Sequence, residues 1–259
     1  FYRPLLSAVA RLDDQNFELS SAQANDRLKA IGFEDPSGAL THIQALTSGL
    51  SRRAAIQKQL LPVLLQWFAE GTDPDAALLA FRRLSEDLGD SPWYLRMLRD
   101  SSGAARSMTQ VLANSRLATE LFERIPEAAA WFERDEDLVP MTAAELKQEF
   151  DSVLARHTAI DAAASTMRGI RRRETLRIAI GGVLDDLSID EVAQGLSDLT
   201  EAYLCGLLDS VLATSVQKVD KYRLASAVDF AIVAMGRFGG AELGFGSDAD
   251  VMFVYQPQS

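Results

Sequence analysis

The chain has 259 residues, 47% of them apolar, which is enough to bury a core and excludes wholesale disorder. Its 37 acidic against 26 basic side chains leave a net charge of −11, the wrong sign for a nucleic-acid binder, which needs a basic surface. No apolar run reaches about 18 residues, so no membrane-spanning helix is expected. A single cysteine, Cys205, cannot form an internal disulfide, and a cytoplasmic setting is expected. The chain starts without Met, in mid-pattern, and stops just after an apolar strand, so it reads as a piece of a longer protein.

In chain order, residues 1–12 carry Leu5, Leu6, Val9 and Leu12 on one helical face, and Asp13-Asp14-Gln15-Asn16 reads as a turn. Ser20-Ser21-Ala22-Gln23 is a capping-box pattern whose helix should end near Gly32. Asp35-Pro36 opens a helix that Gly49 closes. The next spans Arg52 to Glu70, with Ile56, Leu60, Val63, Leu64 and Trp67 on one face and Pro62 expected to kink it. Asp73-Pro74 starts a helix running to Gly89, and Pro92 begins another. Residues 104–133 predict two or three short helices, broken near Asn114-Ser115 and at Pro126. This succession of short helices predicts an all-α region.

The acidic run Glu133-Arg134-Asp135-Glu136-Asp137, ending at Pro140, is the best internal boundary. It separates a helical region, 1–137, from a second helical stretch, 138–227, and a terminal segment, 228–259. A capping box at Thr142-Ala143-Ala144-Glu145 predicts one long helix through Phe150, Val153 and His157 toward Arg173. Gly181-Gly182 and Asp185-Asp186 predict a turn. A further capping box at Ser188–Glu191 starts a helix to about Val216, striped by Val192, Leu196, Leu199, Tyr203 and Leu207, with Cys205 expected in the core. The polar stretch 217–223 leads into the last segment.

The terminal segment gathers the groups that can do chemistry. Asp229–Met235 reads as a buried strand, Gly236-Arg237-Phe238-Gly239-Gly240 as a tight turn, and Val251–Tyr255 as a second strand. Asp248 and Asp250, two apart at the start of that strand, share a face. Paired carboxylates repel each other, and a divalent cation resolves this; hard oxygen ligands suit Mg²⁺. Two solvated aspartates at a strand edge fit a bare Asp-x-Asp equally well. The glycine run allows close backbone approach and amide contact with phosphate, but it is neither a dinucleotide fingerprint nor a P-loop, and a plain tight turn also explains it. Ser247 can touch a phosphate or cap a turn.

Arg168, Arg171, Arg172, Arg173 and Arg177 form a basic cluster. It fits a solvated face paired with acids such as Glu174, or a contact to phosphates or to an acidic partner. His42 and His157 lack ligand-spaced neighbours and read as ordinary helix residues.

The run Ala234–Val251, read as Gly-basic-apolar-Gly-Gly, then Glu-Leu, then Ser-Asp-x-Asp, resembles the signature of the glutamine synthetase adenylyltransferase family. Residues 73–84 and 171–179 resemble that family's helical portion more weakly. Phe238 stands where Leu is usual, and Ala249 and Val251 where Ile and Leu are common, all within the apolar pattern. The resemblance implies a mainly α chain: a multi-helix domain followed by the first strands of an α+β nucleotidyltransferase domain of the DNA polymerase β type. It implies ATP and Mg²⁺ as cofactors, with Asp248 and Asp250 as metal-binding catalytic residues and Gly236, Gly239, Gly240 and Ser247 on the nucleotide. The expected reaction adenylylates a tyrosine of glutamine synthetase. Glutamine or a PII-type signal protein would be the regulator, with neither nucleic acid nor membrane as partner. The alternatives are the AMP-removing half of the same enzyme and a helical spacer between two catalytic domains. A third carboxylate would lie beyond Ser259, so this chain alone is expected to be inactive.

Overall fold

The computed structural model describes residues 21–89, 91–218 and 228–257. The helix and turn expected over 1–16, the opening Ser20 of the first capping box and most of the polar stretch 217–223 lie outside these residues. The described residues divide between Leu138 and Val139 into two compact units. The described residues are mainly α, with one small antiparallel sheet near the C-terminal end. Among the described residues no helix is long and apolar enough to cross a membrane.

The first unit holds α1 (Ser21–Ala30), α2 (Pro36–Thr47), α3 (Arg52–Ala69), α4 (Pro74–Leu88), α5 (Pro92–Asp100), α6 (Ser102–Asn114), α7 (Arg116–Phe122), a 3₁₀ segment (Pro126–Glu133) and α8 (Asp135–Leu138). Their starts are written locally. The side chains of Asp35, Ser51, Asp73 and Ser115 each accept a hydrogen bond from the amide three residues on, satisfying a donor that the first helical turn leaves orphaned. Proline stands at the start of α2, α4 and α5, where its missing amide costs nothing. Helix α3 runs on through Pro62, which is buried within it.

Phe33, Phe68, Phe81, Tyr94 and Phe122 are fully buried, and the rings of Phe68 and Phe81 lie 5.8 Å apart. The Tyr94 hydroxyl reaches Ser85 Oγ at 2.8 Å, so burying the phenol leaves no unpaired oxygen. At the rim, Arg82 Nη1 lies 3.0 Å from His42 Nδ1. Arginine can only donate, so His42 accepts as the neutral ring.

The second unit is built from α9 (Ala143–Arg156), α10 (Ile160–Val183), α11 (Ile189–Lys218), β1 (Val228–Ala234), a single turn α12 (Gly236–Gly239) and β2 (Val251–Pro257). Helices α9 and α10 both pack on α11. The single helix expected from Thr142 toward Arg173 is in fact two, parted by extended backbone at His157 and Ala159. The break lets Phe150 and Val153 of α9 and Met167 and Ile170 of α10 enter one core with Leu196 and Leu199 of α11. Gly181 and Gly182, expected in a turn, close the last turn of α10; the chain reverses after them, with Asp185 at φ 60°. Gly181 has a packing reason, because a Cβ there would sit 2.7 Å from Leu187. Thr142–Glu145 and Ser188–Glu191 form reciprocal capping boxes.

Glu174, only 2% exposed, is the polar centre of this unit. Its carboxylate pairs with Arg177 one turn on and accepts from the Met141 amide at 2.9 Å, tying the chain before α9 to α10. Cys205, expected in the core, is exposed. It lies beside the buried stripe of α11 rather than within it. Partial desolvation of its thiol and the neighbouring Glu201 and Asp209 carboxylates push its pKa up, which disfavours the nucleophilic thiolate.

Two predictions follow from these contacts. Removing one partner of a buried pair leaves the other uncompensated, so Glu174→Ala should lower stability in urea unfolding by about 3–5 kcal/mol. Glu174→Gln, which keeps an acceptor for Met141, should cost less. Burial first and Arg82 second hold the His42 pKa below its ordinary 6.5. The folded state therefore binds fewer protons than the unfolded state between the lowered value and 6.5. This contribution to stability should be complete above 6.5 and lost as pH falls through the folded value. In pH-dependent unfolding, His42→Gln should flatten that slope.

Candidate functional site

Strands β1 and β2 pair antiparallel from Val228↔Pro257 to Ala234↔Val251. The Met235 amide adds one more rung, donating to the Asp250 carbonyl at 2.9 Å. Ladder and turn together bring Gly236 next to Asp250, fourteen positions away in sequence. The strand expected to be buried is not: Phe230, Val233, Phe253, Val254 and Tyr255 are all exposed. A two-stranded ribbon has too little width to cover both of its own apolar faces. The stacked rings of Phe230 and Phe253, 5.9 Å apart, cover part of one face, and Val251 on that same face packs on the helical core.

Between the strands, Gly236–Gly239 makes one helical turn. Two glycines have strict reasons. Gly236 has φ 54°, and a Cβ there would meet Asp250 Oδ2 at 2.8 Å, so the Asp250 carboxylate leans over bare backbone. At Gly239 a Cβ would meet the Ala234 carbonyl oxygen at 2.7 Å. Gly240 is less constrained, with its nearest neighbour 3.6 Å away and φ −88°. The Gly239 and Gly240 amides donate back to Met235 and Gly236. The amides at the start of the turn are therefore the ones left to meet an anion.

The remainder of the loop is pinned from below. Phe238 and Leu243 enter the core formed by α9, α10 and α11. Ala241 takes φ 56°, which reverses the chain between these two anchors. The Leu243 amide points to Ser197 Oγ on α11 at 3.5 Å. Ser247 Oγ accepts from the Gly244 amide at 3.0 Å, and the Ser247 amide donates back to the Gly244 carbonyl at 3.0 Å. This ties off a tight turn immediately before Asp248, and the Ser247 hydroxyl keeps its own proton to donate. Asp248 and Asp250 follow, both exposed, on the irregular segment that leads into β2.

Gly236, Gly239, Gly240, Ser247, Asp248 and Asp250 thus lie along a single loop, and the structure brings Asp250 against Gly236. Among the described residues no group of three or more His, Cys, Asp or Glu is gathered as a metal cage. Two exposed carboxylates beside a glycine turn suit a cation shared with a phosphate ligand, as Mg²⁺ is commonly held. Behind the glycine turn lies a cavity of about 290 Å³, lined by Gln194, Asp198 and Glu201 of α11 and by Ile232, Phe238 and Gly239. The arginine cluster is dispersed along α10: Arg177 pairs with Glu174, while Arg171 sits 5.3 Å from the centre of the Tyr203 ring. His157 ends α9 with its ring 3.3 Å from Thr166 Oγ1, and His42 belongs to the first unit. The residue that sequence reasoning missed is Ser197: nothing local in a helical serine signals a contact 46 positions away.

A model of the family described as glutamate-ammonia ligase adenylyltransferase matches residues 105–259. The bifunctional glutamine synthetase adenylyltransferase/adenylyl-removing enzyme of Leifsonia xyli subsp. xyli is 54% identical over 99% of this chain and 25% of its own length. Proteins of the same description from Streptomyces avermitilis and Cutibacterium acnes are 44% and 42% identical, over 27% and 25% of their lengths. The chain spans about a quarter of the length of the relatives it matches.

Gly239, crowded by backbone, and Gly240, which has room, give a matched test. Gly239→Ala forces Cβ against backbone and should destabilise the second unit by about 1–3 kcal/mol. Gly240→Ala has room and an ordinary φ and should be neutral or slightly stabilising. Urea unfolding of the two variants should separate them.

Proposed function

The chain belongs to the glutamate-ammonia ligase adenylyltransferase family, and from that premise we propose that it supplies the helical lead-in and the metal-binding loop of an adenylyl-transferring site. The substrates are ATP and a tyrosine hydroxyl of glutamine synthetase. The supporting observation is the loop itself: a glycine turn brought by the β1–β2 ladder against Asp250, with Asp248 two residues before it.

Asp248 and Asp250 would hold Mg²⁺ together with the nucleotide's phosphate oxygens. The ion would supply charge neutralisation at the α-phosphate and polarise it toward in-line attack. The chain's own contribution is position. The bare backbone of Gly236 lets the Asp250 carboxylate lie close over the turn, and the opening amides of α12 would face the phosphate's negative charge. Ser247 directs its remaining hydroxyl proton toward a phosphate oxygen. The tyrosine hydroxyl gives up its proton to solvent as its oxygen bonds to the α-phosphorus, the bond to the bridging oxygen breaks, and pyrophosphate leaves. The helical part before β1 is where glutamine or a PII-type protein would act.

The test is adenylylation of glutamine synthetase by the full-length enzyme that contains this chain. Asp248→Asn and Asp250→Asn should each lower kcat by at least about 100-fold, as expected when charge stabilisation at the reacting phosphate is lost. Phosphorolytic removal of AMP should be measured on the same variants. Loss of removal with adenylylation intact would assign the loop to the opposite reaction.

A further inference from the structure

We infer that Ser197, on helix α11, is a positioning residue for the Asp248–Asp250 loop, so that the lead-in helices set the geometry of the site. This rests on the reading of the loop given above. Ser197 is 4% exposed and stands apart from the aspartates in sequence and role. Its hydroxyl donates to the Ala193 carbonyl at 2.8 Å, which fixes the rotamer and leaves its lone pairs free to accept. The Leu243 amide, buried 46 residues later in the chain, approaches that oxygen at 3.5 Å. A buried amide without an acceptor is costly, so Leu243 is held where Ser197 can serve it.

The consequence passes along the backbone. Leu243 is followed at once by Gly244, whose amide and carbonyl both close the turn on Ser247. Ser247 immediately precedes Asp248. The side chains of Leu243 and Phe238 share a core with Leu196 and Leu199, the neighbours of Ser197 on α11. Apolar burial fixes the loop's depth, while the polar contact fixes its rotation, since only a directional bond distinguishes one backbone orientation from another. A shift of α11 would therefore reach the carboxylates through this hydroxyl as well as through the buried side chains of Phe238 and Leu243.

The experiment uses the full-length enzyme with Ser197→Ala and Ser197→Thr, read by steady-state kinetics and by hydrogen–deuterium exchange of peptides spanning residues 241–248. Ser197→Ala should lower kcat for adenylylation about tenfold while leaving KM for glutamine synthetase within about twofold, because the carboxylates are misplaced rather than removed. Exchange over 241–248 should accelerate about tenfold. Ser197→Thr keeps the hydroxyl and should restore both to within about twofold.

Where Ser197→Ala does not fold, Ser197→Cys, similar in volume but a poor acceptor, takes its place. Wild-type kcat and wild-type exchange in the alanine or cysteine variant would overturn the proposal. So would a loss that threonine does not rescue, which would mark mere packing. Asp248→Asn serves as the control: full activity in that variant would sink the underlying reading, and the exchange arm would still decide the coupling.

Discussion

The geometry of the loop depends on two apolar side chains, Phe238 and Leu243, buried beneath it. They enter a core made by three helices that precede the sheet in the chain. Burying each is worth about 1.5–3 kcal/mol, comparable to the cost of ordering the backbone of the two or three residues around it. Without that anchorage the segment from Gly236 to Asp250 would be a long glycine-rich connection between two strands, with no reason to hold one shape. The two-stranded ribbon cannot supply the order by itself. Its outward residues are exposed, and an isolated hairpin is marginal in water. The helices are thus a structural precondition of the site.

The electrostatics point the same way. The chain is strongly acidic, and placing Asp248 and Asp250 close together adds local repulsion. The loop offsets this by keeping both carboxylates in solvent and by surrounding Asp250 with backbone rather than further acids. Gly236 is the economical choice there, since any side chain would contest the space that the carboxylate occupies. The first amides of the following turn offer partial positive charge, and Arg237 stands in the same turn. A site of this kind stays open to a charged ligand that brings its own counterion.

What was legible in the sequence was what is locally encoded. Asp35-Pro36, Asp73-Pro74, Thr142–Glu145 and Ser188–Glu191 announce helix starts because their side chains bond to amides three residues away. The strand–turn–strand pattern and the paired aspartates were legible for the same reason. The break at His157–Ala159 was not, because no glycine or proline marks it. Its cause is tertiary, the need to fold α9 and α10 onto the same face of α11. Cys205 was misplaced because periodicity locates a stripe to within one position, and one position on a helix is a rotation of about 100°. Glu174 read as a surface partner in an arginine run, yet it is buried by its contact with Met141, 33 residues earlier.

Ser197 is the instructive case, because its meaning depends on a fold that its neighbours in sequence do not reveal. A serine inside a helix ordinarily returns its hydroxyl to the carbonyl four residues back, and Ser197 does this. The same back-bond orients its oxygen lone pairs away from α11, toward whatever packs there. What packs there is Leu243, whose amide lies outside the strand ladder. A local habit of helical serine thereby becomes a distant constraint on two aspartates. Phe238 fills its place in the core by volume, and a core accepts some exchange of shape. The hydroxyl at Ser197 allows no such exchange, because direction, unlike volume, cannot be made up by a neighbouring side chain.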